Sequence, residues 1–333
     1  MDVLVSPRRP LSEGAGMRIG RRAGTLLAAS VCLFMIAACG GGESRADGGQ
    51  LRVASNSNAT ALPFWIAQDQ GLFEKHGLDV DYTKIENVAT LPQALGTTFD
   101  IVLSTPTLAI ASTAQGIPMS EVSGSSVDVP DNPSGFLMVP EGSGVSDVGQ
   151  LAGARIGVLN ETGTLHIATR NWLQQSGVDL DSLEIVQVDG PAQADQLRSG
   201  RIDAVETVIP FNEQIEEAGG ISLGSPFQSL AEEITPIYWA ARTDWAEQNR
   251  PVIERFRAAL DEAQQFIVDN DAAARSVLQD ELGYPDDVIA NLELPTFDTA
   301  VRPQDVEPWL EAMRSTTGFA GDVDVDRLVV GAP

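Results

Sequence analysis

A strand-then-helix pattern occurs twice along this chain, and that repetition constrains the fold more than any other feature. The first copy begins with the apolar run LRVASN, which ends at Asn56, and the second with ARIGVLN, which ends at Asn160. In both copies a helical pattern follows and ends at a glycine, Gly77 in the first and Gly177 in the second. Strands that alternate with helices predict βαβ units and mostly parallel sheets.

A third correspondence lies further along each copy. The segment QALGTTFDIVLSTP is matched by QLRSGRIDAVETVIP, so that Asp100 and Val102 correspond to Asp203 and Val205. Two copies do not make a solenoid, because a solenoid needs about three or more repeats to bury its core. We therefore predict two α/β lobes of like topology rather than one large sheet.

Two strand-like runs predict that the chain crosses between these lobes twice. They are GFLMVP, residues 135–140, and ITPIYWAART, residues 234–243. The pattern after residue 245 is helical, so the C-terminal helices are expected to complete the first lobe. We predict lobe 1 from residues 51–136 and 240–333, and lobe 2 from residues 137–239. Bilobal proteins close by small backbone changes at such crossings.

The N-terminal segment has the order of a secretory signal. The basic run MRIGRR precedes an uncharged apolar stretch at 23–38, which is shorter than the about 20 apolar residues that a spanning helix usually needs. The alternative is an uncleaved anchor. We predict a signal peptide over residues 1–38, with the true start at Met17, and a flexible glycine-rich tether over residues 39–50.

The end of the apolar stretch, IAAC, resembles the lipobox of bacterial lipoproteins. This resemblance implies that Cys39 becomes the first residue of the mature protein and carries lipid. The protein would then be extracytoplasmic and lipid-anchored to the cell membrane, in a periplasm or on an outer face.

Charge and cysteine content exclude several classes of function. The formal net charge is −26, and the leader is richer in arginine than in acids, so the mature body is more acidic still. Nucleic acid is therefore not an expected partner, because no basic run is present to neutralise phosphates. Both cysteines, Cys32 and Cys39, lie in the leader or at its edge. The body thus has no disulfide, no cysteine metal site and no thiol nucleophile.

Several segments together resemble one family. They are PFWIAQDQGLFEKHGLDVDY, QALGTTFDIVLSTPTLAIASTAQGIPM, DVGQLAGARIGVLNETGT and LRSGRIDAVETVIPF. These segments are similar to the substrate-binding lipoproteins of ABC transporters in the nitrate, sulfonate and taurine group, which also includes binders of thiamine pyrimidine precursors. The resemblance implies a bilobal type II periplasmic-binding-protein fold, with two α/β lobes joined by two crossover strands. It also implies a monomer that captures a small molecule between its lobes, delivers it to an ABC permease and needs no cofactor.

Four predicted strand ends carry hydroxyl and amide side chains. In open α/β sheets, ligands bind beyond the carboxyl ends of the strands, where backbone amides at helix starts point outward. Helix capping is the alternative role for such side chains. From these loops we predict ligand contacts at Asn56, Asn58, Thr60, Ser104, Thr105, Asn160, Thr162, Gly163 and Thr164.

Two further residues bear on the ligand. These loops carry no Arg or Lys, so an anion would depend on helix N-termini and hydroxyls. Glu206 would repel nitrate or a simple sulfonate at the edge of the cleft but would pair with an amine. It therefore favours a zwitterion such as taurine or an aminopyrimidine, unless it points into solvent. Tyr238 is a candidate to stack on a ring, with a place in the core as its alternative.

The residues do not indicate catalysis. His76 is expected to cap a helix end, and His166 lies near the predicted cleft without a Ser–His–Asp pattern or a metal motif around it. The same fold family includes a pyrimidine synthase that uses a cysteine-rich motif, which this body lacks. We predict a binding protein with no catalytic residue and no metal. The alternatives are a sensor lipoprotein without transport and, less favoured, an enzyme like that synthase.

Overall fold

The computed structural model describes residues 49–85 and 90–330 of the chain. The predicted signal peptide and Cys39 lie outside the described residues, and their assignment stays a prediction. Within the described ranges, no helix combines the length and the apolar character that crossing a membrane requires.

Ten strands in the described residues form two five-stranded sheets. The strands are β1 (Leu51–Ser55), β2 (Val80–Lys84), β3 (Ile101–Ser104), β4 (Met119–Asp128), β5 (Gly135–Pro140), β6 (Arg155–Val158), β7 (Glu184–Gln187), β8 (Ala204–Val208), β9 (Gly220–Gly224) and β10 (Ile234–Arg242).

The two sheets have corresponding strand orders, β2-β1-β3-β10-β4 in the first and β7-β6-β8-β5-β9 in the second. In the first sheet β1 pairs in parallel with β2 and β3, and in the second β6 pairs in parallel with β7 and β8. In the first sheet β10 pairs antiparallel with β3 and β4, and in the second β5 pairs antiparallel with β8 and β9. We call the part built on the first sheet lobe 1 and the part built on the second lobe 2. The chain passes between the sheets in two segments, a first crossing at residues 129–134, between β4 and β5, and a second at residues 225–233, between β9 and β10.

The α-helices of the described residues flank these sheets. They are α1 (Leu62–Asp69), α2 (Leu72–Lys75), α3 (Leu91–Ala94), α4 (Pro106–Ala114), α5 (Thr164–Gln175), α6 (Gly190–Arg198), α7 (Phe211–Glu217), α8 (Thr243–Gln248), α9 (Arg250–Asp269), α10 (Asp271–Leu282), α11 (Asp286–Asn291) and α12 (Val306–Thr317).

An arginine–aspartate pair recurs at the same place in both lobes. In lobe 1, the backbone N and Nε of Arg52 donate to Asp100 Oδ2, each at 3.0 Å, and Nη2 donates to Oδ1 at 2.6 Å. In lobe 2, Arg155 makes the same bonds to Asp203 at 2.8, 3.0 and 2.7 Å. Each pair ties the strand that begins the repeated unit, β1 or β6, to the turn before the central strand of its sheet, β3 or β8. The correspondence of Asp100 and Asp203 in the sequence therefore has a structural cause.

The first helical segment is interrupted where one continuous helix was expected. Helix α1 ends at Asp69 and α2 begins at Leu72, because Gly71 adopts a φ of 65°. This left-handed conformation costs glycine little and is unfavourable for other residues. The predicted glycine at the end of the segment, Gly77, is also left-handed, with a φ of 72°.

One apolar cluster contains residues of both lobes. It brings Ile110 of α4, in lobe 1, together with Leu165 and Ala168 of α5, in lobe 2. Trp309 of α12 belongs to the same cluster, and its ring lies 5.9 Å from that of Phe227, edge to face. The helix α12 therefore packs against both lobes at once.

Candidate functional site

The loops that follow β1 and β6 are built in the same way. Asn58 Oδ1 accepts a hydrogen bond from Thr60 N at 3.0 Å, and Asn160 Oδ1 accepts one from Thr162 N at 2.9 Å. Such local bonds are the usual reason for Asn at the start of a helical turn. The side-chain oxygens of both Asn residues are thus engaged within their own loops.

The two lobes come into contact at the loops that follow β3 and β6. Thr107 Oγ1, in lobe 1, donates a long hydrogen bond of 3.4 Å to the carbonyl oxygen of Thr162, in lobe 2. Thr105 caps the N-terminus of α4, because its Oγ1 accepts from Leu108 N at 3.3 Å. The strand-end loops of the two lobes therefore face each other.

A cavity lies between the lobes on this side of the molecule. It contains about 850 Å³ of space not filled by protein atoms, its open mouth included. The cavity is lined by Ser57, Asn58, Ala59, Thr60, Ser126, Ser134, Thr164, Leu165, Val208, Ile209, Pro210, Phe211, Phe227, Pro236, Ile237, Leu282, Tyr284, Leu292 and Pro295.

Three residues predicted from the sequence line this cavity, namely Asn58 and Thr60 of lobe 1 and Thr164 of lobe 2. The other predicted loop residues are not among the lining residues of this cavity, and four of them, Thr105, Asn160, Thr162 and Gly163, take part in turns and caps. The full set outside the lining is Asn56, Ser104, Thr105, Asn160, Thr162 and Gly163. Ligand contact at these six positions stays a prediction.

Glu206 occupies neither of the two positions considered for it, the cleft edge and the solvent. It is fully buried in β8, and its Oε2 lies 3.1 Å from His166 Nδ1 on α5. Its neighbour Thr207 points to the opposite face and donates to Gln193 of α6 at 2.6 Å. Because α5 covers the face that carries Glu206, the carboxylate pairs within lobe 2 and does not line the cavity.

Tyr238 also points away from the cavity. It is 3% exposed and packs with Leu91, Met119 and other apolar residues of lobe 1. Ile237, the preceding residue of β10, lines the cavity instead. Successive side chains of a strand face opposite sides of the sheet, so a shift of one position decides which residue reaches the ligand.

The two histidines have structural partners. His76 follows α2, and its Nε2 lies 3.1 Å from Glu262 Oε2 of α9. His166 is 3% exposed and pairs with Glu206. In the two described ranges, no group of three or more His, Cys, Asp or Glu residues is arranged to hold a metal ion.

Burial raises the pKa of Glu206, although His166 and the Thr169 hydroxyl oppose the shift. When folding raises the pKa of a carboxyl group, the group makes its full contribution to stability at pH values below its pKa in the unfolded chain. That contribution is lost as the pH rises through its pKa in the folded protein. We therefore expect Glu206→Gln to gain stability relative to the wild type as pH rises from about 4 to 8. Urea unfolding across this range tests it; parallel stability profiles for the two proteins would contradict the assignment.

Sequence comparison places most of the chain in one family. Residues 58–274 match the family model described as NMT1/THI5 like. A Brucella abortus (strain 2308) protein named as a binding protein is 28% identical over 204 residues, which cover 60% of this chain and 61% of that relative. A Brachyspira hyodysenteriae protein named as an ABC transporter periplasmic binding protein is 25% identical over 219 residues, or 62% of each chain. The chain thus matches less than two thirds of the length of these relatives.

Solved structures share the fold over most of their length. The periplasmic aliphatic sulphonate binding protein SsuA of Escherichia coli has a TM-score of 0.73 at 17% identity and covers 86% of this chain and 94% of its own. The periplasmic nitrate-binding protein NrtA of Synechocystis PCC 6803 has a TM-score of 0.68 at 14% identity, covering 84% and 86%. The desulfurization enzyme DSZB also matches, with a TM-score of 0.58 at 14% identity and 85% and 96% coverage. At these identities the likeness concerns the fold alone.

The predicted fold is therefore confirmed: two α/β lobes, each with a mixed sheet, in the arrangement of periplasmic binding proteins. The predicted family is confirmed as well, because the family model spans more than half of the chain. This chain belongs to the NMT1/THI5-like family.

Proposed function

We propose that this protein is the extracytoplasmic substrate-binding component of an ABC importer and captures a small organic solute between its lobes. The observation that carries the proposal is the cavity, which both lobes line, with Asn58 and Thr60 on one side and Thr164 and Phe211 on the other. A ligand held by both lobes favours their closed arrangement, because it binds that arrangement more tightly than an open one.

The segments between the lobes supply a hinge for this closure. Asp128, at the end of β4, accepts hydrogen bonds from Ser134 N at 2.7 Å and Ser134 Oγ at 3.0 Å in the first crossing. It also accepts one from Ser225 Oγ at 3.3 Å in the second crossing. One buried carboxylate thus ties both crossings at a single place, where small backbone rotations would move one lobe against the other.

The family resemblance suggests a ligand of one of two kinds. The first comprises sulfonates, taurine and nitrate-like anions, and the second comprises aminopyrimidines. The relatives with solved structures named above bind aliphatic sulphonate and nitrate according to their names. Since Glu206 lies outside the cavity lining, it supplies no argument for an amine-bearing ligand.

The membrane attachment is part of the same proposal. Lipid on Cys39 would hold the protein, as a monomer, at the membrane surface where its permease lies. A single acyl chain binds a membrane only weakly, so stable attachment needs more than one lipid chain. The glycine-rich residues 40–49 would give the lobes freedom to reach the permease.

A Cys39→Ser variant tests the attachment. Because serine offers no thiol for lipid, we expect the variant to be recovered in the soluble extracytoplasmic or medium fraction, whereas the wild type sediments with membranes. Cell fractionation with an immunoblot measures the distribution. Retention of the variant in the membrane fraction to the same extent as the wild type would contradict the lipid assignment.

Native mass spectrometry tests the binding function. The full chain is purified gently in detergent and then denatured, and any released small molecule is identified. We expect one bound molecule per chain, and after its removal that molecule should raise the melting temperature, because it binds only the folded state. An empty protein whose melting temperature no solute from the growth medium raises would contradict the proposed function.

A further inference from the structure

We propose that the cavity takes an uncharged, ring-bearing molecule with one or two hydrogen-bonding groups, and not a sulfonate, nitrate or other small anion. This inference rests on the proposed function and narrows the class of its ligand. It depends on four properties of the described cavity: its lining, its backbone amides, its rim and its hydroxyl groups.

The lining carries no charged side chain among the described residues. More than half of the lining residues are apolar, and the aromatic rings of Phe211, Phe227 and Tyr284 contribute flat surfaces. Burying an ion beside such surfaces without a partner is costly, whereas an uncharged ring gains free energy from the contact. The lining therefore favours an uncharged ligand.

Backbone amides can bind an anion without any charged side chain, but several of them are already bonded here. In lobe 1, Thr60 N donates to Asn58 Oδ1 at 3.0 Å and Ala61 N donates to Asn58 O at 2.9 Å. In lobe 2, Thr162 N donates to Asn160 Oδ1 at 2.9 Å and Gly163 N donates to Asn160 O at 3.1 Å. These internal bonds occupy four donors at the loop ends. The start of α5 at Thr164 and Leu165, which lines the cavity, has no side-chain cap, so its amides stay available to a hydrogen-bonding group of the ligand.

Acidic side chains flank the cavity on both lobes. Glu213 lies two residues after the lining residue Phe211 on lobe 2, and Glu293 directly follows the lining residue Leu292 on lobe 1. Burial raises the pKa of Glu213, and the nearby carboxylates Glu216, Glu217 and Glu293 raise it further. Glu213 and Glu293 are therefore close enough to interact across the two lobes. Their negative field opposes the approach of an anion.

Two hydroxyl groups of the lining lack a partner in the described part of the chain. Ser126 is 1% exposed and Thr60 is 6% exposed, and the Oγ of Ser126 and Oγ1 of Thr60 are buried without a hydrogen bond. A buried polar group without a partner costs about 1–3 kcal/mol, so such groups usually have one in the functional state. Both residues line the cavity, so rotation of either side chain towards it would bring the hydroxyl to a ligand with one or two donors or acceptors.

Matched pairs of probes test the charge of the ligand. Benzamide and benzenesulfonate share a ring and differ in charge, and taurine and nitrate represent the small anions. On the full chain freed of bound molecules, we expect benzamide to bind about tenfold or more tightly than any of the anions in titration calorimetry. The molecule released from gently purified protein should likewise be uncharged at neutral pH.

The outcomes separate the ligand class from the proposed function. Tighter binding of benzenesulfonate, taurine or nitrate, or release of an anionic molecule, would overturn the ligand class and leave the binding function in place. Binding of no probe, together with an empty purified protein, would overturn both.

Two matched variants test the hydroxyl groups. Thr60→Val keeps the shape of the side chain and removes a hydroxyl from the lining, whereas Thr235→Val removes an equally unpartnered hydroxyl, 2% exposed at residue level, outside the lining. We expect Thr60→Val to weaken binding of the released molecule, or of benzamide, by about 3- to 10-fold. The melting temperature of the empty variant should be unchanged or higher.

Thr235→Val should leave the affinity as it is. Equal affinities for the wild type and Thr60→Val would overturn the assignment of this hydroxyl to the ligand. That assignment would also be overturned if Thr60→Val lost affinity and its empty form melted at a lower temperature than the empty wild type.

Discussion

Replacing Trp309 with alanine is expected to lower the free energy of unfolding by about 3–5 kcal/mol, the usual cost of deleting a large buried aromatic side chain. Trp309 is 0% exposed and belongs to the cluster that joins α4 of lobe 1 to α5 of lobe 2. Its loss would leave a cavity at the place where the lobes meet. Urea unfolding of both proteins measures the difference.

Trp309→Phe serves as the matched control. The indole Nε1 is buried and has no hydrogen-bond partner among residues 49–85 and 90–330. Phenylalanine removes this unpartnered group while keeping a ring against Phe227, so we expect a loss below about 1.5 kcal/mol. Equal losses for Trp309→Phe and Trp309→Ala would show that packing of the ring does not provide the stability.

Replacing Ser57 with tryptophan is expected to weaken ligand binding about a hundredfold or more, equivalent to near 3 kcal/mol. Ser57 lines the cavity from lobe 1 and is exposed to solvent, with no side-chain hydrogen bond in the described structure to lose. An indole at this position would occupy the space between the lobes and obstruct their closure. Titration calorimetry with the molecule released from the wild type gives the affinity.

Ser143→Trp is the control for this change. Ser143 is also exposed but lies in the turn after β5, between Gly142 and Gly144, and does not line the cavity. We expect Ser143→Trp to bind as the wild type does and both variants to retain the wild-type melting temperature. Wild-type affinity in a folded Ser57→Trp protein would exclude this cavity as the binding site.

The fold was predictable because its signals are local and occur twice. The alternation of strands and helices, and the correspondence of Asp100 with Asp203, are visible within short windows of sequence. The structure adds that each aspartate binds the arginine on the first strand of its own repeat, Arg52 on β1 or Arg155 on β6. The break at Gly71 was missed because a glycine inside an apolar helical pattern does not itself show whether the helix continues.

The orientation of single side chains was harder to predict. Ile237 and Tyr238 are neighbours in β10, and only the pairing of that strand with β3 and β4 determines which one faces the cavity. Glu206 was missed for a similar reason, since the face of β8 that carries it is covered by α5. The sequence predicts that successive side chains of a strand face opposite sides of the sheet. It does not predict which side of the sheet each helix covers.

The cavity itself combines segments that are far apart in the chain. Ser126 lies near the first crossing, Phe227 in the second, and Tyr284 after α10. The hydroxyl and amide side chains at the strand ends predicted Asn58, Thr60 and Thr164. No local sequence pattern distinguishes the apolar residues that line the cavity from those of the core. Their contribution depends on how the C-terminal helices return to lobe 1.

In the proposed function, the two lobes close on a small molecule held between them. Small-angle X-ray scattering of the full chain tests it most directly, with the released molecule removed and then restored, in the wild type and in Ser57→Trp. We predict that the molecule decreases the radius of gyration of the wild type and leaves that of Ser57→Trp unchanged. Saturating binding with no change in the wild-type radius, or an equal decrease in both proteins, would contradict the account.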